Sequence, residues 1–347
     1  MTATYLAAAI EKFDAATRPV LREFPRRAPG AGEIEVAVEA ASVNPIDVLR
    51  RSGYGRSLLC MMGAAKLPLT LGNDFAGRVM CVGRGVSHLR EGDAVFGAAP
   101  PSSRGTHANC VVVRASHAVL QPMGMSSAEL ATVPYNFLTV AKALEAAGLG
   151  AANLEGVDVL VHGGTGGLGM IAVQLLKRGG ANVAATGSND RLPMCRQAGA
   201  SLLIDRDSDE LIALPYRFAA TLNFARWDDD GTLLRLLGRN AIGHATTVHP
   251  LLGNFDRFGL LRGGLVSLNQ KRCMGAMAPR GTRYAWTVFS VNRAALEELA
   301  GIVGAIALPR VRSYALADAA GAYIHNEKHL PGRPVLMPSA AERAYII

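Results

Sequence analysis

A glycine-rich turn between an apolar strand and a helix constrains this chain more than any other feature. The stretch runs Val157-Asp-Val-Leu-Val-His-Gly-Gly-Thr-Gly-Gly-Leu-Gly-Met-Ile-Ala-Val-Gln-Leu-Leu-Lys177, in which Gly164, Gly166 and Gly169 satisfy G-x-G-x-x-G. One glycine makes the tight turn, the next lets backbone approach a pyrophosphate, and the third lets the helix pack close to the sheet. The helix start offers free N–H groups and the positive end of its dipole to phosphates. Gly164, Thr165, Gly166, Gly167, Leu168 and Gly169 are therefore the expected cofactor-binding loop of a dinucleotide site.

The surrounding rhythm agrees. Val157–Val161, Asn182–Thr186, Leu202–Ile204 and Arg217–Leu222 read as strands, and Leu168–Arg178 and Leu192–Ala198 as helices between them. That alternation predicts an α/β fold with a doubly wound parallel sheet. Upstream the texture differs. Glu33–Ala41 alternates as EIEVAVEAA, and short apolar runs follow at Phe75–Val82, Asp93–Phe96 and Asn109–Val113. These predict a β-rich module up to about residue 125. Ser126-Ser127 with Glu129 reads as a helix start, continued by Val133–Ala147. After a late helix at Ala294–Val303, strands return at Arg310–Ala315 and Gly332–Met337, so the nucleotide domain is expected to interrupt a discontinuous first domain. The tail Ser339–Ile347 reads as a frayed end.

Composition narrows the function classes. With 347 residues, half of them apolar, the chain can bury two cores, and no run approaches the length of a membrane span. Net charge is +8, carried by 30 Arg and only 6 Lys that read as scattered, and aromatics are 6%. Nucleic-acid binding would need clustered cations and aromatics, so no nucleic-acid partner is expected. Met1–Ile10 lacks a basic leader and runs into Glu11-Lys12, which makes the cytoplasm the expected address. The cysteines at 60, 81, 110, 195 and 273 form no CxxC or Cys/His cluster. No metal site or disulfide framework is expected, only reduced and mostly buried thiols.

The end of the second strand addresses the cofactor. An NAD site places a carboxylate there for the ribose diol. Here Ser188 stands in that position, Arg191 follows, and Arg206 comes after the third strand. A hydroxyl and guanidinium groups suit a 2′-phosphate, so NADPH is the expected cofactor, with Asp190 the dissenting residue. No zinc-ligand set and no Tyr-x-x-x-Lys pair accompany the site. A hydride acceptor that is already electrophilic fits best: a small-molecule quinone or an α,β-unsaturated carbonyl.

The chain resembles the zinc-free medium-chain dehydrogenase/reductases of the quinone oxidoreductase, or zeta-crystallin, branch. The resemblance rests on Ala41-Ser-Val-Asn44-Pro45-Ile-Asp47, Arg51-Ser-Gly53-Tyr54, Pro68-Leu-Thr-Leu-Gly72-Asn-Asp74-Phe-Ala-Gly77, Gly92-Asp93-Ala-Val-Phe-Gly97 and the glycine loop. More narrowly it is similar to the mitochondrial reticulon-interacting oxidoreductases and their bacterial relatives, through Val248-His-Pro-Leu-Leu252, Asp256-Arg257-Phe-Gly259 and Tyr284-Ala-Trp286. The resemblance implies a GroES-like catalytic and substrate domain at 1–128 and 290–347 and a Rossmann NADP-binding domain at 129–289. It implies that Asn44 and Tyr54 line the nicotinamide pocket as catalytic residues. Thr139, Asn223, Val248 and Arg333 are then further cofactor contacts, Arg333 standing where the family usually has Lys. Asn44 and Gly72-Asn73-Asp74 replace the Cys and Gly-His-Glu of zinc-dependent relatives. Dimers are common in this branch, so a homodimer is one expectation.

Departures fall near the substrate. The family's Asp-x-Val-Gly-Gly stretch is here Leu222-Asn223-Phe224-Ala225-Arg226, which puts Phe224 and Arg226 at the substrate side together with Tyr54 and His249. His162 reads as a satisfied core histidine, and His107, His117 and His244 show no partner and receive no role. Two alternatives stay open: an enoyl reductase of a polyketide-like biosynthetic pathway, and an NADPH-binding protein of low turnover that acts through a protein partner.

Overall fold

The computed structural model describes residues 3–150, 153–208, 211, 214 and 217–346. They form two compact units, one up to Tyr135 and from Val291 onward, the other from Asn136 to Ser290.

The first unit carries β1 (Thr4–Ile10), β2 (Val20–Pro25), β3 (Glu33–Ser42), β4 (Leu69–Thr70), β5 (Asp74–Val82), β6 (Ala94–Ala98), β7 (Cys110–Arg114) and β8 (Ala118–Leu120). β1 lies between β2 and β4 in a small antiparallel sheet. β3 is the spine of the larger sheet, antiparallel to β5, to β7 and to the returning strand Arg333–Met337, which in turn runs parallel to Val311–Ala315. Its sequence alternates, yet it is buried along nearly its whole length because it is central. Ile34, Val36 and Val38 pack there with Phe75, Val79, Val95 and Val111.

The second unit is a six-stranded, all-parallel sheet of β9 (Asp158–His162), β10 (Asn182–Gly187), β11 (Leu202–Asp205), β12 (Ala220–Asn223), β13 (Gly243–Thr246) and β14 (Arg283–Trp286). The order is β11-β10-β9-β12-β13-β14. The chain winds from β9 through β10 to β11 and then reverses to place β12 on the other side of β9, so the crevice beyond the carboxyl ends of β9 and β12 is where such sheets bind ligands. The pattern reading missed β13 and β14. Gly-His-Ala-Thr and Arg-Tyr-Ala-Trp are only four residues long and lack the β-branched run that marks a buried strand.

Two expectations are corrected. The tail is not frayed over its described part. Ser339 caps the helix Ala340–Ala344 in a box with Glu342, and Ile346 is buried beside Tyr5, Ala108 and Cys110, while Ile347 lies outside the described residues. The thiols are not mostly buried either: Cys60, Cys81 and Cys273 are exposed, and only Cys110 and Cys195 are inside.

Candidate functional site

In the second unit the glycine loop leaves β9 and enters the helix Gly167–Arg178, with Gly166 as N-cap. The three glycines differ in what surrounds them. A Cβ on Gly169 would stand 2.2 Å from the Gly163 carbonyl oxygen and 2.6 Å from Gly164 Cα, and one on Gly164 would stand 2.8 Å from Ala185 Cβ. A Cβ on Gly166 would meet only the Gly163 oxygen, at 3.3 Å. Gly164 and Gly169 thus permit packing, whereas Gly166 keeps a surface bare. The N–H groups of Gly167, Leu168 and Gly169 in the first turn have no helical partner and suit an anion. A dinucleotide pyrophosphate fits this cradle.

The loop is tied to β10 by a directed chain of hydrogen bonds. Gly163 N–H donates to Thr186 Oγ1 at 3.0 Å, and Gly164 N–H donates to the Thr186 carbonyl at 2.7 Å. Thr186 Oγ1 lies 2.8 Å from His162 Nδ1, and His162 Nε2 lies 2.9 Å from an Asp229 carboxylate oxygen. Burial holds the His162 pKa below its ordinary value, against the pull of Asp229. A neutral ring that donates from Nε2 and accepts at Nδ1 satisfies every partner. His162 is a satisfied histidine, and what it satisfies, through Thr186, is the glycine loop.

Ser188 and Arg206 follow Gly187 and Asp205, which face each other across β10 and β11. Arg206 N–H donates to the Gly187 carbonyl at 2.9 Å, so both residues sit at one edge of the sheet. Arg191 is on the same turn, its N–H bonded to the Ser188 carbonyl, and its side chain is exposed. Asp205 turns its carboxylate to the Asp207 N–H at 3.1 Å.

Further along, the Asn223 carboxamide is spent inside the protein. It donates to the Arg226 carbonyl and to Asp230 and accepts from Ala225 N–H, which shapes the 223–226 turn. Arg226 pairs with Asp229 at 3.1 Å and leaves most of its side chain in water, and Phe224 is half-buried. His249 stacks flat on Trp286 with ring centroids 4.8 Å apart. Its Nε2 lies 3.1 Å from the Thr287 carbonyl, and its buried Nδ1 has no hydrogen-bond partner. Val248 precedes it, half-buried, and Thr139 is buried on the helix Pro134–Ala146.

In the first unit the sequence-predicted Asn44 and Arg333 meet around a carboxylate. Asp74 is fully buried and accepts from Asn44 Nδ2 and Ser42 Oγ, both at 2.7 Å, and from Tyr135 N–H at 2.6 Å. Arg333 Nη1 donates to Asn44 Oδ1 at 3.1 Å. Asn44 also precedes the helix Pro45–Arg51, where its own N–H donates to Asp47 at 2.8 Å. Burial raises the Asp74 pKa to about 6 despite its donors, and burial likewise lowers that of Arg333. Tyr54 lies between Gly53 and Gly55, both at positive φ, and couples electrostatically to Tyr135.

Pattern reading missed Ser42, Asp47, Asp74 as the hub, Tyr135 and His107. The histidine, read as partnerless, lies 3.0 Å from both the Tyr323 hydroxyl and the Ser42 carbonyl. His244 likewise has Thr221 and Asp230 as partners. Only spatial proximity reveals these groups, because their segments lie far apart in the chain. Among the described residues, no group of three or more His, Cys, Asp or Glu is placed to hold a metal ion.

Residues 30–143 match the alcohol dehydrogenase GroES-like domain. The mouse mitochondrial NAD(P)H oxidoreductase RTN4IP1 is 32% identical over 323 residues, spanning 88% of this chain and 81% of that protein. A tomato 2-methylene-furan-3-one reductase is 34% identical over 194 residues, spanning 54% of this chain and 48% of the relative. Among solved structures, a quinone oxidoreductase from Coxiella burnetii superposes with a TM-score of 0.80 at 24% identity, covering 97% of this chain and all of the other. The chain belongs to the medium-chain dehydrogenase/reductase family, in the group of the reticulon-interacting NAD(P)H oxidoreductases.

Proposed function

We propose that this chain is an NADPH-dependent, metal-free oxidoreductase that passes hydride to a quinone or to the β-carbon of an α,β-unsaturated carbonyl. The observation that carries the cofactor choice is the joining of Ser188 and Arg206 at the adjacent ends of β10 and β11, where Gly187 packs closely against Thr165 of the glycine loop. A 2′-phosphate takes a charge-assisted hydrogen bond from a guanidinium and a further bond from a hydroxyl. Ser188, Arg191 and Arg206 hold the adenosine end, and the first-turn N–H groups hold the pyrophosphate.

The nicotinamide, when bound, supplies the hydride. The rest falls to the chain's own residues. Asn44 has its donor and acceptor already engaged by Asp74, Ser42 and Arg333. It acts as a rigid wall and not as an acid. Tyr54, which couples electrostatically to Tyr135 of this cluster, carries the hydroxyl that delivers the proton an enolate or semireduced quinone needs. The name of the tomato relative describes reduction of an enone, which supports that arm, as does the largely solvated Arg226, suited to an anionic or carrier-linked enone.

Fluorescence titration with NADPH and NADH, followed by NADPH oxidation with one quinone and one enone, tests the proposal. Tighter NADPH binding with turnover supports it, and the faster acceptor selects the subclass. Preference for NADH overturns the roles of Ser188 and Arg206. Binding without turnover on either acceptor favours the partner-mediated alternative.

A further inference from the structure

The charge of this chain is laid out unevenly. Between Asp256 and Arg293, which pairs with Glu297, there is no carboxylate, while Arg257, Arg262, Lys271, Arg272, Arg280 and Arg283 fall inside that span. All six are exposed. An arginine-rich composition accounts for many cations but not for the missing acids, so this span carries its positive charge without the carboxylates that offset it elsewhere.

This segment begins with a helical hairpin, Leu251–Phe258 followed by Leu260–Gly275. The two helices are locked together. Asn254 Nδ2 lies 2.9 Å from Ser267 Oγ and 2.7 Å from Gln270 Oε1, and a Cβ on Gly263 would stand 2.6 Å from the Asn254 carbonyl oxygen. Small and polar residues thus face inward, the reverse of an ordinary surface helix. The outward face carries Leu261, Leu265 and Leu268 at i, i+4 and i+7, with 89%, 69% and 46% of each exposed. Leucines in one stripe at such exposure mark a contact surface. Arg257 and Arg262 stack over Phe258 at 5.1 and 5.3 Å, which places two guanidinium groups beside the stripe.

We propose that this hairpin docks on the surface of an anionic lipid bilayer, the leucines entering the acyl boundary and the basic residues meeting headgroup phosphates. Charge complementarity selects that occupant. A second copy would bring together two faces on which the hairpin sets Arg257, Arg262, Lys271 and Arg272 against the single carboxylate of Asp256, and a nucleic acid would pair with the cations but leave the leucines in water. A bilayer with anionic headgroups satisfies both halves of the surface. No helix among the described residues is long and apolar enough to cross a membrane, so the contact is peripheral.

The test is flotation of the full chain with vesicles of phosphatidylcholine alone or mixed with phosphatidylglycerol. Binding to the mixed vesicles only, weakening as salt rises, is the expected result. L261S/L265S and R262Q/R272Q should each weaken it by about tenfold or more while keeping the wild-type melting temperature. L261S alone serves if the double leucine variant loses its thermal transition. Failure to bind anionic vesicles overturns the proposal, as does equal binding to neutral ones. Full retention of binding in L261S/L265S overturns it too. So does a dimer, seen by light scattering, that L261S/L265S dissociates, since a second copy then covers the stripe. None of these readouts depends on turnover.

Discussion

His162 sits at the centre of a relay that ends on the glycine loop, and its role is testable without touching the cofactor surface. Replacing it with Ala leaves Asp229 with Arg226 as a partner but deprives the buried Thr186 hydroxyl of its acceptor, and an unmet buried group costs about 1–3 kcal/mol. Loop geometry depends on Thr186, so His162→Ala should weaken NADPH binding about tenfold in a fluorescence titration. His162→Gln, which can both donate and accept, should recover part of that loss. The glycines next to it separate packing from binding. Gly169→Ala forces a methyl group to within 2.2 Å of backbone and should cost about 2 kcal/mol or more of stability by urea unfolding. Gly166→Ala meets nothing closer than 3.3 Å, so it should keep near-wild-type stability yet bind NADPH at least about tenfold more weakly. Asp74 gives a pH signature of a different kind. Its folded pKa of about 6 lies above the ordinary 3.8, because burial disfavours the charge more than the donors Asn44, Ser42 and Tyr135 favour it. The folded state therefore binds this proton more tightly than the unfolded chain. The resulting stability is fully present below about pH 4 and is lost as pH rises through 6, amounting to about 3 kcal/mol. Asp74→Asn carries no titrating charge, so its unfolding free energy should change less than wild type between pH 4 and pH 7.5 in urea titrations.

At the scale of elements, what the sequence made legible was whatever obeys a local period. β3, β5, β10 and the helix Gly167–Arg178 stand where alternation and helical spacing put them. β13 and β14 did not show themselves: β13 is buried between β12 and β14 and needs little pattern of its own, while β14 is a four-residue edge strand, too short to show a period. The C-terminal helix went unread for a related reason. Five residues are too few to carry a hydrophobic period, and its stability comes from distant groups: Asn109 Nδ2 donates to the Glu342 carbonyl at 2.6 Å, and Arg26 Nη1 donates to the Ile346 carbonyl at 2.6 Å. Removing residues 339–347 should lower the melting temperature by roughly 5 °C or more, because Asn109 loses its acceptor and the apolar patch around Tyr5 and Cys110 is uncovered. Ser339→Ala, which removes only the cap, should cost about 1 kcal/mol.

At the scale of the whole molecule, the glycine-loop cradle was legible and the Asp74 cluster was not, and the difference is one of sequence distance. Gly164, Gly166 and Gly169 fall within six positions, so one motif announces the candidate pyrophosphate cradle. Ser42, Asn44, Asp74, Tyr135 and Arg333 converge only after β3, β5 and the returning C-terminal strand have paired. The adenosine end is intermediate, since Ser188 and Arg206 come from different strands whose pairing the βα rhythm already foretells. That makes it the place to test whether long-range assembly sets cofactor choice. Ser188→Asp would put a carboxylate at the end of β10, close to where Arg206 is fixed by the Gly187 carbonyl. The carboxylate would repel a 2′-phosphate, neutralise Arg206 and offer an acceptor pair to a ribose diol. The ratio of NADPH to NADH affinity should fall by about a hundredfold, with both constants taken from the same fluorescence titration. Arg206→Ala should reduce NADPH affinity about tenfold and leave NADH nearly unchanged, since a guanidinium that recognises only the 2′-phosphate has nothing to lose when that phosphate is missing.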